Sequence, residues 1–169
     1  VGVGGQSMHT VKNCISRTLN EGDKISQELI DELYKENLAS ICDETTILEV
    51  VPQEYIADNH TEVNPVGIVA QNITAQYMNI VARSILKSNL ERSLEQVGIT
   101  MADLILSPLA QTKSILTDSE MRSGCAIVDF GADTTTLSIY KNNLLRFLCV
   151  LPLGMNNVVK DICTMQMEE

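Results

Sequence analysis

The sequence is short of basic residues and of long apolar runs, and each shortage narrows the range of functions. Its 169 residues include 12 Lys or Arg against 22 Asp or Glu, a formal net charge of −10. This balance argues against nucleic acid as a main partner, because phosphate backbones bind to basic patches. It also argues against a purely electrostatic membrane anchor. No stretch has the length and apolarity of a signal peptide or a transmembrane helix.

Cysteine pairs at metal-binding spacing are also missing. The cysteines are odd in number, no two are separated as C-x-x-C, and three lie inside apolar runs. We therefore expect reduced, mostly buried thiols in a cytoplasmic protein rather than zinc ligands or disulfides. The two histidines, His9 and His60, have no ligand-like neighbours and are interpreted as ordinary residues. The cysteines are Cys14, Cys42, Cys125, Cys149 and Cys163.

The composition that remains is that of a globular protein, with 44% hydrophobic and 20% charged residues. A chain of this size can bury a core without disulfides or metal. It does not begin with Met; it opens on VGVGG, typical of a strand, and closes on MQMEE, inside a predicted helix. We therefore expect a piece of a longer protein.

Residues 1–107 are predicted to mix strands and helices. The polar stretch NCISRTLNEGDK has no predicted element, and a helix is predicted to follow the N-cap Ser26. A strand comes next, interrupted at Pro52 because proline cannot donate to a ladder. After an NPVG turn, ITAQYMNIVAR is apolar on both parities and predicts a central strand. Ser84 is predicted to cap the next helix, which ends at Gly98. The short strand DLILS closes this region.

Residues 108–123 are predicted to form a connecting helix, with Ser107 as its cap and a proline at its first position. Residues 124–169 differ, because GCAIVDF, TTTLSIY and LLRFLCV predict three consecutive strands. The last two are joined by a K-N-N hairpin signal, since Asn tolerates positive φ. A helix is predicted from about Asn156.

The loop DFGADTTT, residues 129–136, is the main candidate site. An acid at the tip of a buried strand, here Asp129, can hold Mg²⁺ directly or through water. A glycine, Gly131, lets the backbone approach a phosphate, and threonine hydroxyls with backbone N–H groups can bind its oxygens. Asp and Gly are also ordinary turn formers. The residues of the loop alone leave a phosphate loop and a plain hairpin turn both open.

Longer segments indicate a family. CAIVDFGADTTTLSIYKNNLLRFLCVLPLGMNNVVKDI resembles the FtsA family of bacterial cell division proteins, members of the actin superfamily. Upstream, VGVGGQSMHTV, ILEVVPQEYIAD with NPVGI, and SPLAQTKSILTDSEMRSG follow the same order as in that family. The resemblance covers nearly the whole chain. It implies an α+β fold: an SHS2-type (strand-helix-strand-strand) inserted subdomain, called 1C, over 1–107, a 1A-like helix over 108–123, and an incomplete actin-like or ribonuclease H-like βββα unit, called 2A, over 124–169.

The resemblance also implies a function for the full-length protein. Members of the family bind ATP with Mg²⁺ between two lobes and are weak ATPases at most. They lie in the cytoplasm at the inner membrane of the division site, where they link the FtsZ ring to the membrane. They self-assemble into filaments and recruit later division proteins, including an FtsN-like protein that binds subdomain 1C.

The matching residues are carried over one by one. Asp129, Gly131 and Thr134 match the acid, the first glycine and the threonine of the family's second phosphate loop, and Asp161 matches an acid of the following helix. With their neighbours, Asp129, Gly131, Asp133, Thr134 and Thr135 are expected to bind the cofactor, and Asp129 and Asp161 to hold Mg²⁺ through water. The sequence departs from the family at Ala132, Asp133 and Thr136, and Met155 replaces a small residue that is common there. The added charge of Asp133 is expected either to help hold Mg²⁺ or to weaken nucleotide binding.

Several parts of the family pattern are not in this sequence: the first phosphate loop, the adenosine-binding segment, the FtsZ-contacting subdomain 2B and the C-terminal membrane helix. We therefore expect no useful ATP binding by this chain alone, since affinity comes from several fixed contacts together. We also expect self-association through an exposed edge of the incomplete sheet. The acidic helix face of Glu28, Asp31, Glu32 and Glu36 is either a solvated surface or a site for a basic peptide.

Two other functions share part of this pattern. A sugar or acetate kinase of the actin superfamily would carry the D-x-G loop, but is not expected to carry V-P-Q-E-Y with N-P-V-G upstream. A ribonuclease H-like nuclease would need further carboxylates converging on two metals. Asp133 and Asp161 are the available acids, and the net charge counts against a nucleic-acid substrate.

Overall fold

The computed structural model describes residues 1–40 and 44–167, so Cys42 lies outside the described residues. Strands and helices are mixed over residues 1–123, and three consecutive strands with a final helix complete the chain. The strands are β1 Gly2–Val3, β2 His9–Thr18, β3 Thr45–Ala57, β4 His60–Glu62, β5 Asn72–Arg83, β6 Ile105–Leu106, β7 Cys125–Phe130, β8 Thr135–Lys141 and β9 Leu144–Leu151. The helices are α1 Gln27–Ala39, α2 Ser84–Gln96, α3 Ser107–Ile115, α4 Asp118–Ser123 and α5 Met155–Met167.

One antiparallel sheet runs through both predicted regions. Its seven strands lie in the order β4-β3-β5-β2-β9-β8-β7, while β1 and β6 form a separate parallel pair. The regions join where His9 of β2 pairs with Cys149 of β9. Beside this pair, the Thr10 hydroxyl accepts a hydrogen bond from the Leu148 N–H at 3.0 Å. The α+β fold class is confirmed, and the division at 107 and 124 stays a prediction.

The second half of strand β2, Asn13 to Thr18, lies within the polar stretch NCISRTLNEGDK, for which the sequence predicts no element. The strand pairs with β5 along its whole length, from His9 opposite Val81 to Thr18 opposite Asn72. Only Ile15 of its side chains is buried. Hydrophobic alternation therefore gives little signal here, and the strand exists because β5 offers a full ladder of backbone partners.

Strand β3 confirms the predicted irregularity at proline. Its register against β5 shifts between Pro52 and Tyr55, as in a bulge. On the other side, β4 pairs only with Tyr55 through Ala57. Pro52 therefore has no ladder partner on its outer side to which it would have to donate.

Helix starts are confirmed to within a residue. Ser26 caps α1, and its hydroxyl accepts a hydrogen bond from the Leu29 N–H at 3.2 Å. The predicted caps Ser84 and Ser107 are instead the first residues of α2 and α3, and the cap positions fall on Arg83 and Leu106. The reason is that β5 and β6 run into these helices without a linker, so the last strand residue occupies the cap position.

Two apolar cores hold the sheet. One lies beneath α1 and belongs to the first region alone: Ile15, Ile25, Leu33, Val50, Ala57, Ala70, Ile73, Ala75 and Tyr77. The other joins the two regions: Val3, Met8, Ile80, Leu106, Tyr140, Leu145 and Leu148. This second core fixes the end of β1 against the β7–β8–β9 meander, which positions the candidate site.

Candidate functional site

A cleft of about 260 Å³ lies where the two regions meet. The tip of β1 and the start of α3 form one wall, and the ends of β7, β8 and β9 form the other. Among the predicted site residues, Asp129 and Thr134 line it. Its lining residues are Gly4, Gly5, Gln6, Ser107, Pro108, Gln111, Asp129, Thr134, Thr136 and Val150.

The Asp129 carboxylate is held from the opposite wall. Gln111 of α3 donates from Nε2 to Asp129 Oδ2 at 2.8 Å, in a partly buried position. Asp129 of β7 pairs with Thr136 of β8, so the two side chains lie on the same face of the sheet and both line the cleft. The acid is therefore fixed at the mouth of the hairpin, and its role in holding a cation stays a prediction.

The hairpin loop closes tightly at Gly131. Its N–H donates to the Thr134 carbonyl at 2.8 Å, and an added Cβ would lie only 2.9 Å from that oxygen. Because the nearest atom is backbone, a side chain at this position would force the loop to open. A glycine is thus required here by the loop itself, whether or not a ligand binds.

The same loop caps helix α5. The Gly131 carbonyl accepts from the Met155 N–H at 3.0 Å, and the Ala132 carbonyl accepts from the Asn156 N–H at 2.8 Å. Two N–H groups that have no partner within the helix are therefore satisfied by the loop. Gly154 lies so close that an added Cβ would meet the backbone of Ala132.

Asp133 points to α5 rather than into the cleft. Its Oδ1 accepts a hydrogen bond from Asn156 Nδ2 at 2.9 Å, the side chain is exposed, and it is not among the lining residues. A carboxylate at a helix N-terminus is favoured by the helix dipole. The sequence offers Mg²⁺ binding or interference with nucleotide as roles for Asp133, and the geometry supplies a third, which is to hold the start of α5.

Thr135 also serves α5. It is buried, and its hydroxyl donates to the Leu153 carbonyl at 2.6 Å. Alternation along the strand places Thr134 and Thr136 on the cleft side and Thr135 on the other. Thr136 is a lining residue that the sequence prediction omits, and this period of two is the signal that would have found it.

Asp161 is not brought to Asp129. It lies exposed on α5 and does not line the cleft. Within residues 1–40 and 44–167, no group of three or more His, Cys, Asp or Glu side chains is placed to hold a metal ion. The role of Asp161 with Mg²⁺ stays a prediction.

The sequence prediction missed the wall of the cleft that the tip of β1 and the start of α3 form. Gly4 and Gly5 follow β1, and Ser107 and Gln111 lie on the first turns of α3. The parallel pairing of β1 with β6 brings these two segments side by side. A glycine pair directly after a strand is a local sign of a binding turn. The sequence does not show that the start of α3, a hundred residues later, lies beside this turn, because only the folded chain brings them together.

The donor set of the cleft suits a phosphate with a hydrated cation. Hydroxyls of Ser107, Thr134 and Thr136 and the side-chain-free backbone of Gly4 and Gly5 are hydrogen-bonding groups of the kind that bind phosphate oxygens. The Asp129 carboxylate is the type of ligand that Mg²⁺ takes, directly or through water. None of the described lining residues is Lys or Arg, so a bound phosphate would need the cation to balance its charge.

Known proteins similar to this chain agree with the fold. A family model described as "SHS2 domain inserted in FTSA" matches residues 5–81, which contain β2, α1, β3, β4 and most of β5. Cell division protein FtsA of Porphyromonas gingivalis is 32% identical over 171 residues, covering 100% of this chain and 36% of that protein. The Buchnera aphidicola FtsA is 37% identical over 123 residues, covering 72% of this chain and 29% of that protein.

The chain belongs to the FtsA family. It spans about a third of the length of the curated FtsA proteins it matches, including 38% of the Bacillus subtilis protein, with which it shares 28% identity over 165 residues. The SHS2 assignment of the first region is therefore confirmed for residues 5–81.

A solved structure extends the likeness to the second region. The "PilM-PilN type IV pilus biogenesis complex" superposes with a TM-score of 0.60 over 97% of this chain and 45% of that chain, at 14% identity. At this identity the likeness concerns the fold alone. Among the described residues, no helix of this FtsA-family chain has the length and apolarity needed to cross a bilayer.

Proposed function

We propose that this chain acts in cell division as part of an FtsA protein and that its cleft receives the phosphates of ATP with Mg²⁺. The main support for this proposal is that Gly4 and Gly5, after β1, line the same cleft as Asp129 and Thr134 of the hairpin loop. The relatives named above are all cell division proteins, which supports the cellular role.

Within the cleft, the wall formed by β7, β8 and β9 would supply the ligand groups described next, and the opposite wall would orient one of them. Thr134 and Thr136 would donate their hydroxyls to phosphate oxygens, and Gly131 keeps the loop closed enough to present them. Asp129, oriented by Gln111, would hold the cation or one of its waters. Bound Mg²⁺ supplies the positive charge that the lining lacks.

In the complete protein, this chain would supply an interaction surface and one half of the nucleotide site. The proposal includes linkage of the FtsZ ring to the inner membrane through segments outside this sequence, on the cytoplasmic side of the division septum. The SHS2 region would contact a late, FtsN-like division protein. Its acidic α1 face is partly neutralised, because Arg17 pairs with Glu36 at 2.6 Å.

Calorimetric titration of Mg-ATP tests the site. We expect binding to the full-length protein and no useful binding to this chain, because most nucleotide contacts of the family lie in other segments. In the full-length protein, Thr134→Val should weaken binding, since it removes a cleft hydroxyl at nearly constant size. Thr61→Val, an exposed position on β4, is the matched control and should leave binding unchanged.

Two outcomes would contradict parts of this proposal. A micromolar dissociation constant for this chain alone would show that the half-site suffices. Binding to neither form would show that Ala132 and Asp133 have disabled the loop, which leaves an interaction scaffold without nucleotide.

A further inference from the structure

The V-P-Q-E-Y segment, residues 51–55, forms a bulge in β3. Its register against β5 places two residues, Gln53 and Glu54, opposite the single residue Gln76. On the outer side, β4 pairs with β3 only from Tyr55 onward. A bulge of this kind changes the direction of the side chains that it carries. Gln53 and Glu54 are therefore free to point away from a regular ladder position.

Both side chains contact β9 of the second region. Gln53 is 8% exposed, and its Nε2 donates to the Leu145 carbonyl at 3.1 Å. Arg146 donates from Nη1 to Gln53 Oε1 at 3.2 Å and from Nη2 to Glu54 Oε1 at 2.8 Å. The guanidinium and the carboxylate are both partly buried. We call Gln53, Glu54 and Arg146 the β3–β9 clasp.

The sheet is weakly joined beside this clasp. Strands β2 and β9 share one residue pair, His9 with Cys149. Further along β2 the two strands separate, and a cavity of about 70 Å³ lined by Lys12, Cys14 and Arg146, among others, lies there. A single residue pair is a point about which the β7–β8–β9 meander would turn. The apolar core between the regions resists this turn only weakly, because apolar attraction is not directional.

The clasp lies where it can prevent this turn. Arg146 is three residues from Cys149 along β9, a distance of about 10 Å in an extended strand. Its guanidinium binds two acceptors on separate side chains, a geometry that the planar fork of arginine allows and a lysine ammonium does not reproduce. Hydrogen bonds at this distance from the single strand pair therefore fix the angle of the meander.

Strand β9 leads from the clasp to the cleft. Leu148, two residues after Arg146, donates its N–H to the Thr10 hydroxyl at 3.0 Å. Val150, two residues further, donates its N–H to the Met8 carbonyl at 3.1 Å and lines the cleft. Val150 also pairs with Thr136 of β8. The angle of β9 therefore decides where the Thr136 wall of the cleft lies.

We propose that the β3–β9 clasp is a positioning device. It holds the meander at a fixed angle to the SHS2 region, so that Thr136 and Val150 stay opposite Gly4 and Gly5 across the cleft. The V-P-Q-E-Y bulge thereby acts on a site to which it contributes no lining residue among those described. This inference rests on the proposed function only for the ligand that the cleft binds.

Hydrogen–deuterium exchange of the full-length protein, read from overlapping peptides, tests the clasp without any ligand. Arg146→Met removes both hydrogen bonds of the guanidinium at similar side-chain length. The Leu148 and Val150 amides donate across the boundary between the regions, and they should exchange at least about threefold faster, as expected for the loss of about one net hydrogen bond. Amides of α1 and β5 should keep their wild-type rates.

Glu54→Gln is a milder second variant that keeps the size of the side chain and removes its charge. It should accelerate the same two amides to a smaller extent. Arg17→Met is the matched control, because it removes an ion pair of 2.6 Å with Glu36 that lies within the first region. It should leave the Leu148 and Val150 amides unchanged. Unchanged exchange in Arg146→Met, or equal acceleration throughout the SHS2 region, would overturn the proposal.

Calorimetric titration of Mg-ATP into the same full-length variants tests the effect on the cleft. Arg146→Met should raise the Kd at least about threefold, because a displaced wall loses fixed contacts with the ligand. Arg17→Met should leave the Kd at the wild-type value. Faster exchange with an unchanged Kd would refute the positioning role. A wild-type protein that does not bind Mg-ATP would refute the proposed function, and the exchange rates would still decide whether the clasp holds the meander.

Discussion

A buried amide pair joins helix α1 to the centre of the sheet, and its removal should be costly. Asn37 and Asn79 are 0% and 1% exposed. Each donates from Nδ2 to the other's Oδ1 at 2.8 Å. Asn13 also donates to Asn37 Oδ1, at 2.9 Å. This arrangement satisfies the two buried side chains mutually, in the interior where water cannot replace either partner.

We predict that Asn79→Ala lowers the free energy of unfolding by about 3 kcal/mol. Two neutral hydrogen bonds contribute about 1 kcal/mol each, and a buried amide N–H left without its acceptor costs about 1–3 kcal/mol. In this variant only the Asn37 Nδ2 group loses its partner, because Asn37 Oδ1 still accepts from Asn13. The lower part of that range therefore applies. The change belongs among the larger effects of single substitutions because a buried polar group loses its partner.

Urea unfolding followed by circular dichroism measures the effect, with Asn89→Ala as the matched control. Asn89 is exposed on α2, and its replacement should change the free energy by no more than about 0.5 kcal/mol. The double variant Asn37→Ala/Asn79→Ala should lose less than the sum of the two single variants, with a coupling of at least about 1 kcal/mol. Additive losses, or a loss below about 1 kcal/mol for Asn79→Ala, would refute the reasoning.

Two further predictions concern a glycine and an acid. Gly154→Ala should lower the melting temperature, because its Cβ would meet the Ala132 backbone and displace the loop from α5. Gly2→Ala is the control and should leave the melting temperature unchanged, because no atom lies within 4 Å of its added Cβ. Equal effects of the two substitutions would contradict the packing argument. The pKa of Asp58 is lowered from 3.8, first by a backbone hydrogen bond from Gln71. Stability from this group is therefore present above about pH 4 and lost as pH falls through the lower folded pKa, so acid unfolding of Asp58→Asn should be less pH-dependent than wild type.

Local signals predicted much of the fold. Ser26 starts α1 because its hydroxyl is used by the first turn, and Gly98 follows α2 with φ +72°. Asn142 and Asn143 turn the last hairpin with φ of 56° and 61°, as their tolerance of this region predicts. In each case the residue that sets the conformation is also the one visible in the sequence.

Long-range pairing could not be predicted in the same way. Strand β2 is largely exposed and polar, and its ladder with β5 joins residues more than fifty positions apart. The cleft has the same origin, since the pairing of β1 with β6 brings Gly4 and Gly5 beside the start of α3, a hundred residues later. The sequence located the loop side of the cleft and missed the opposite wall for this reason.

The loop's departure from the family pattern has a physical explanation in α5. The carbonyls of Gly131 and Ala132 take the first N–H groups of that helix, so these donors are already engaged and do not face the cleft. Asp133 lies beside them, bonded to Asn156, where the helix dipole offsets its charge. The extra acid is thus directed away from the Thr134 side, on which a phosphate would bind. Its charge is therefore expected to stabilise the start of α5 more than it opposes an anion in the cleft.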